Sequence, residues 1–126
     1  MRLLLDTNVV LWLLLSDRPR IPDRVADLLQ DASTPVLVSA ASVWEIAIKR
    51  SLGKLKIEDR WTDALTRLGF THSPVTAEHA AAVERLPWLH RDPFDRLLIA
   101  QATLEGATLA TADPRIRAYD VPTLWG

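Results

Sequence analysis

Four carboxylates, Asp6, Glu45, Asp95 and Asp113, each stand beside or within an apolar run. Brought together, carboxylates without thiols or paired histidines make a set of hard oxygen ligands suited to Mg²⁺ or Mn²⁺ in octahedral geometry. Packed acids also repel one another unless a proton or a cation intervenes, so metal binding is the natural way to stabilise such a cluster. They can do this chemistry only if the fold carries them to one place.

The elements that position them follow from the apolar pattern. Leu3 to Leu5 is a continuous apolar run, as expected of a strand buried on both faces, and Asp6 stands where it emerges. Thr7 to Ser16 is predicted helical and apolar on nearly every side, which requires full burial or a shared face with another chain. Pro22 opens a second helix through about Ala32, and Val36 to Val38 forms a second strand. Ser39 caps a helix over Ala40–Leu52 that ends at Gly53, with Val43, Ile46 and Ala47 inward and Glu45 near its start. Glu58 to Leu68 is a further helix, Phe70 to Val75 a weaker strand, and Thr76 caps a helix through Leu86. After the Pro87–Arg91 loop, a helix opens at Asp92-Pro93 and runs to Gly106 with Leu97, Leu98, Ile99, Ala102 and Leu104 inward. Ala107 to Thr111 is a strand, a short helix follows Pro114 through Ala118, and Pro122 to Trp125 is a last edge strand.

Alternating strands and helices argue for an α/β fold, a three-layer sandwich around a mainly parallel sheet. In such a sheet the strand C-termini and the following helix N-termini share one edge, so the four acids can converge. Each also has a local alternative. Asp6 can cap the first helix, Glu45 can be a solvated helix residue, Asp92 suits an N-cap before Pro93, Asp95 can complete a capping box, and Asp113 before Pro114 can form a turn.

Composition narrows the class. With 126 residues, 48% of them hydrophobic and 25% charged, the chain reads as one globular domain over 1–126. A net charge of -1 excludes a polycationic nucleic-acid binder, so any basic surface is local. The absence of cysteine removes disulfides and thiolate metal sites and fits a cytoplasmic, reducing setting. The apolar run Val9–Leu15 is far shorter than the ~20 residues of a membrane span, and no signal-peptide cleavage site follows it. His72, His79 and His90 lack ligand spacing and read as structural or surface residues, and Trp44 reads as core. Trp12 and Leu15 could contribute to a partner groove.

The chain resembles a PIN-domain ribonuclease, in particular the VapC-type toxins of prokaryotic toxin–antitoxin pairs. The resemblance spans the whole length. It is carried by Leu-Leu-Leu-Asp6-Thr7-Asn8, Ser39-Ala-Ala-Ser42-Val-Trp44-Glu45-Ile46, His90-Arg-Asp92-Pro-Phe-Asp95-Arg96-Leu-Leu-Ile-Ala-Gln101-Ala and Ala-Thr-Leu-Ala-Thr111-Ala-Asp113. It implies a PIN-like sandwich and metal-dependent hydrolysis of RNA, with Asp6, Glu45, Asp95 and Asp113 around Mg²⁺ (Mn²⁺ as a substitute) and Thr7, Asn8 and Thr111 in support. Asp92 belongs to the two-acid variant of the third motif and is expected to cap or support rather than bind. The resemblance further implies a VapB-type antitoxin as protein partner and a toxin homodimer.

An RNA substrate needs cations near an acidic site. Lys49, Arg50, Lys54 and Lys56 follow Glu45, and Arg91, Arg96, Arg115 and Arg117 flank the other acids. Of these, Lys49, Arg50, Arg96 and Arg115 are the candidate phosphate contacts, which would give affinity without sequence choice. The rival of a different class is a catalytically silent module that binds RNA or protein, in which the acids are only caps; metal binding discriminates the two. An aspartyl-phosphate enzyme would have a second Asp at position 8, where Asn8 stands, and no Gly-rich turn follows the first strand to cradle a dinucleotide or phosphate.

Overall fold

The computed structural model describes residues 1–126. Five parallel strands form one sheet: β1 (Leu3–Leu5), β2 (Val36–Ser39), β3 (Thr71–Ser73), β4 (Thr108–Ala110) and β5 (Thr123–Leu124), in the order β3-β2-β1-β4-β5. β1 lies at the centre, pairing Leu3 with Val36 on one side and with Thr108 on the other. Seven helices connect the strands: α1 (Thr7–Leu14), α2 (Asp23–Gln30), α3 (Ala40–Ser51), α4 (Trp61–Arg67), α5 (Ala77–Ala82), α6 (Pro93–Glu105) and α7 (Pro114–Arg117).

The leucine run works as its composition requires. Successive side chains of a strand point to opposite faces. Leu4 therefore joins Leu37, Leu109, Leu98, Ile99 and Ile116 in the core under α6 and α7. Leu5 joins Val36, Val38, Val9, Val10, Trp61 and Leu65 in the core under α1 and α4, and Leu3 packs with Val25 of α2 and with Ile21 just before it. Two apolar layers around one sheet make the three-layer α/β/α sandwich.

The expected elements are all present, and they differ mainly at their ends. α1 stops at Leu14 because Ser16 takes a left-handed φ of 55° and the Asp17 N–H returns to the Trp12 carbonyl at 2.8 Å. α4 begins at Trp61, not Glu58, since Arg60 at its N-cap offers no capping side chain. The helix after Thr76 tightens into a 3₁₀ turn over Val83–Arg85. Three residues read as inward face outward. On α3 the buried face is Ala41, Ser42, Glu45 and Ile46, which turns Trp44 and Ala47 to solvent. Trp44 is 59% exposed and packs edge-on against Phe94, with ring centroids 5.2 Å apart. Leu104, in the last turn of α6, is also exposed. Trp12 is only half-buried, tilted against Trp125 with Arg20 above its ring. No helix is long and apolar enough to cross a membrane.

Candidate active site

The C-terminal edge of the sheet collects the acids. Asp6 follows β1 directly and caps α1, its Oδ1 accepting the Val9 N–H at 2.9 Å. Its backbone N–H donates to the Ala110 carbonyl, tying the end of β1 to the end of β4. Thr111, one residue beyond β4, donates its hydroxyl to Asp6 Oδ2 and accepts the Asp113 N–H at 3.1 Å. Asp113 in turn caps α7 through the Arg115 N–H at 2.9 Å. Capping and clustering therefore coexist: each cap fixes a carboxylate at a strand-to-helix junction, and the sheet places those junctions side by side.

On the other flank, Asp92 caps α6, with Oδ1 accepting the N–H groups of Phe94 and Asp95. Asp95 stands in the first turn of α6, and its Oδ2 is 2.7 Å from His90 Nε2. The ligand atoms of His90, Asp95 and Asp113 all lie within 4.8 Å of one another. Asp6 and Glu45 stand outside this tightest group but act on it electrostatically, Asp6 through Asp113 and Glu45 through Asp95. Glu45 is buried; its Oε2 pairs with Lys49 Nζ at 2.8 Å, whereas its Oε1 is buried with no hydrogen-bond partner. Thr7 donates to Ser42 Oγ at 3.0 Å, joining α1 to α3 behind the acids, and Asn8 is exposed.

Burial and crowding raise the pKa of two of these carboxyls, Asp6 and Asp95. Desolvation raises the pKa of Asp6, opposed by the Thr111 and Val9 hydrogen bonds and aided by repulsion from Asp113. Asp95 is pushed up to about 6 by burial first, with Asp92 and Glu45 adding repulsion and His90 opposing it. A divalent cation would reverse both causes at once. The donor set fits one: it is almost wholly carboxylate oxygen, and Glu45 Oε1 is a buried acceptor without a donor.

The cations divide differently from the expectation. Arg96, expected to contact phosphate, is 2% exposed. Its guanidinium is spent on the carbonyls of Pro87, Val83 and Leu86 and on the Tyr119 hydroxyl, beneath the Trp88 ring at 3.8 Å. It is a structural residue, because an inward position early in α6 leaves no route to solvent. Arg50 pairs with Asp59 and donates to the Ile57 carbonyl, and Lys49 is engaged with Glu45. Arg115 is the most open of the four, with its Nε 3.3 Å from Asp113. His90, whose spacing reads as structural or surface, is buried at the site. Its signal was the interval of five residues to Asp95 across a helix start, which a search for pairs on one helix face misses. His79 is buried on Glu105, and His72 is exposed.

Beside the acids, Trp88, Leu89, His90, Arg91, Asp92 and Arg115 line an open cavity of about 430 Å³. The concavities at the opposite end of the sheet, around Leu29, Gln30, Leu68 and Phe70, carry no cluster of titratable groups.

Comparison with known proteins agrees with the fold. No curated protein matches the chain by sequence. Among solved structures, the chain is similar to one in VapBC2 from Rickettsia felis bound to a DNA fragment from their promoter, at 17% identity and a TM-score of 0.74, covering 100% of both chains. It is also similar to one in VapBC-1 from nontypeable Haemophilus influenzae, at 18% identity and a TM-score of 0.69, over 98% of this chain and 97% of that one. A toxin-antitoxin complex from Klebsiella pneumoniae matches at 17% identity and a TM-score of 0.62, over 96% and 94%. At these identities the likeness is one of fold. The PIN domain family model matches residues 3–122, and the chain belongs to the PIN domain family.

Proposed function

We propose that this chain is an endoribonuclease toxin that hydrolyses RNA phosphodiester bonds with Mg²⁺ or Mn²⁺ and is silenced by a VapB-type antitoxin. The observation that carries the reading is the buried, partnerless Oε1 of Glu45 beside a group of acids in which burial and repulsion raise the pKa of Asp6 and Asp95. A chain that kept such a cluster only for capping would leave this oxygen at a cost of about 1–3 kcal/mol with nothing to offset it.

Asp6, Asp113, Asp95 and Glu45 would hold the cation. When bound, it supplies the Lewis acidity that acidifies a water and offsets charge growing on the phosphate. One of these four carboxylates would take the proton of the attacking water. Thr111 orients Asp6 through its hydroxyl, and Arg115, the most open of the candidate cations, can meet a backbone phosphate without choosing a base.

The antitoxin is supported by the fold's likeness to chains whose complexes are described as VapBC and toxin-antitoxin. A homodimer is supported by the half-buried Leu11 to Leu14 stretch and the exposed Leu15 of α1, more apolar surface than one core covers. Cytoplasmic action on cellular RNA belongs to the same reading.

The test is cleavage of a mixed RNA substrate by purified protein with Mn²⁺, with chelator, and with Asp6→Asn. Activity that needs the ion and disappears in a folded Asp6→Asn variant is the expected result. Chelator-resistant cleavage would overturn the metal-dependent mechanism, and no cleavage together with no Mn²⁺ binding would favour a silent binding module instead.

A further inference from the structure

Arg96 is buried without a carboxylate partner, an expensive arrangement that asks for a use. Its acceptors are carbonyls and one hydroxyl, and they belong to the segment leading into the site. Nη1 donates to the Pro87 carbonyl at 2.9 Å and to the Tyr119 hydroxyl at 3.1 Å; Nη2 donates to the Val83 and Leu86 carbonyls at 3.1 and 3.3 Å. Tyr119, itself buried and brought in from beyond α7, grips the same segment. Its hydroxyl donates to the Pro87 carbonyl at 2.7 Å and accepts the N–H groups of His90 and Leu89 at 2.9 and 3.1 Å. The loop between α5 and α6 is thus pinned at its carbonyls and at two of its N–H groups. From that pinned backbone the His90 ring reaches Asp95 at 2.7 Å.

We propose that Arg96 and Tyr119 form a clamp whose purpose is to hold His90 as the positioning residue of Asp95. His90 Nε2 donates to Asp95 Oδ2 once Asp95 is ionised, since a carboxylate offers only acceptors. The other carboxylate oxygen, Oδ1, makes no hydrogen bond within the chain and remains for the cation. Carboxylate ligands are oriented by hydrogen-bonded partners of this kind, and loss of such a partner typically costs 10–100-fold in metal affinity or activity. The proposal rests on the reading of Asp95 as a cation holder.

The test compares Tyr119→Phe, His90→Leu and His90→Gln with the parent chain. Mn²⁺ affinity is measured by titration calorimetry, kcat and KM by RNA cleavage, and folding by thermal melts. The His90 tautomer is read from imidazole ¹⁵N shifts in metal-free protein. Expected are Nε2-protonated His90 in the parent and a 10–100-fold weaker Mn²⁺ affinity in Tyr119→Phe and His90→Leu. Their kcat should fall with KM for RNA little changed. His90→Gln, whose amide can still donate, should recover most of the loss. Folded Tyr119→Phe and His90→Leu variants that bind Mn²⁺ as tightly as the parent would overturn the clamp and leave the nuclease reading standing. A parent chain that binds no Mn²⁺ would overturn the nuclease reading first. If His90→Leu does not fold, Tyr119→Phe decides the matter through the tautomer: an unchanged His90 ring there overturns the proposal.

Discussion

Thr111 and Asp6, from opposite ends of the chain, share a hydrogen bond at the edge where β4 and β1 run side by side. The same hydroxyl accepts the Asp113 N–H, so one small side chain addresses both acids. Thr111→Val keeps the shape and removes the hydroxyl. It should cost about 1–3 kcal/mol of stability, because Asp6 is left buried with one fewer donor. It should also move the Asp6 pKa further up, since the Thr111 bond is the main influence opposing burial. Urea melts and carboxyl ¹³C titration would measure the two effects; an unchanged Asp6 titration would contradict the bond's role.

The pH dependence of the metal-free protein has a defined sign. Asp95 titrates at about 6 in the folded chain against 3.8 as its ordinary value. It therefore binds its proton more tightly folded than unfolded. Its ionisation opposes folding, so stability falls as pH rises from about 4 to about 6, by roughly 3 kcal/mol for a shift of this size. Asp6 adds in the same direction. Melts in chelator from pH 4 to 8 should show this decline, and Asp95→Asn should flatten it. Saturating Mn²⁺ should restore stability at pH 7 and above, because a cation stabilises the ionised form.

Asp92 and Asp95 differ in role although they stand one turn apart. Asp92 spends Oδ1 on two backbone N–H groups of α6 and makes the cap. Asp92→Ala should lower stability by about 1 kcal/mol and leave most of the cleavage rate. Asp95→Asn should leave the protein at least as stable at pH 7 and lower the rate 100-fold or more. Equal losses of activity in the two variants would show that Asp92 also holds the cation.

Arg115 offers the exposed charge nearest Asp113. Arg115→Ala should raise KM for RNA several-fold and reduce the slope of log KM against log salt by about 0.7, the value for one contact on a single strand. A slope that does not move would place the phosphate elsewhere.

Much of the fold was legible because the chain is locally consistent. Leu3–Leu5 suits a strand buried on both faces, and Ser39, Asp92 and Gly106 mark helix ends by their own chemistry. Asp6, Asp95 and Asp113 were legible as candidates because they stand at strand or helix junctions, where a parallel sheet gathers its loops. What was hidden depends on rotation and on distant partners. Trp44 could be read as core because its neighbours are, but the 100° step of a helix turns it outward beside Phe94. Arg96 read as a phosphate contact because charge usually means surface; its acceptors are loop carbonyls that carry no pattern in sequence. Tyr119 carries no signal in the sequence, since its partners lie some thirty residues upstream.

The sheet order has a bearing on when the molecule becomes competent. β1 can pair with β2 soon after both leave the ribosome, but its other neighbour, β4, begins only at Thr108. Between β2 and β4 some seventy residues must be made, a wait on the order of several seconds at roughly 5–20 residues per second. During it, the open edge of β1 is exposed and Asp6 has neither Thr111 nor Asp113 beside it. A nascent chain without β4 is therefore one without an assembled acid cluster. The topology makes the acid cluster wait for β4, and a product truncated before Thr111 lacks both the hydroxyl that holds Asp6 and the Asp113 carboxylate beside it.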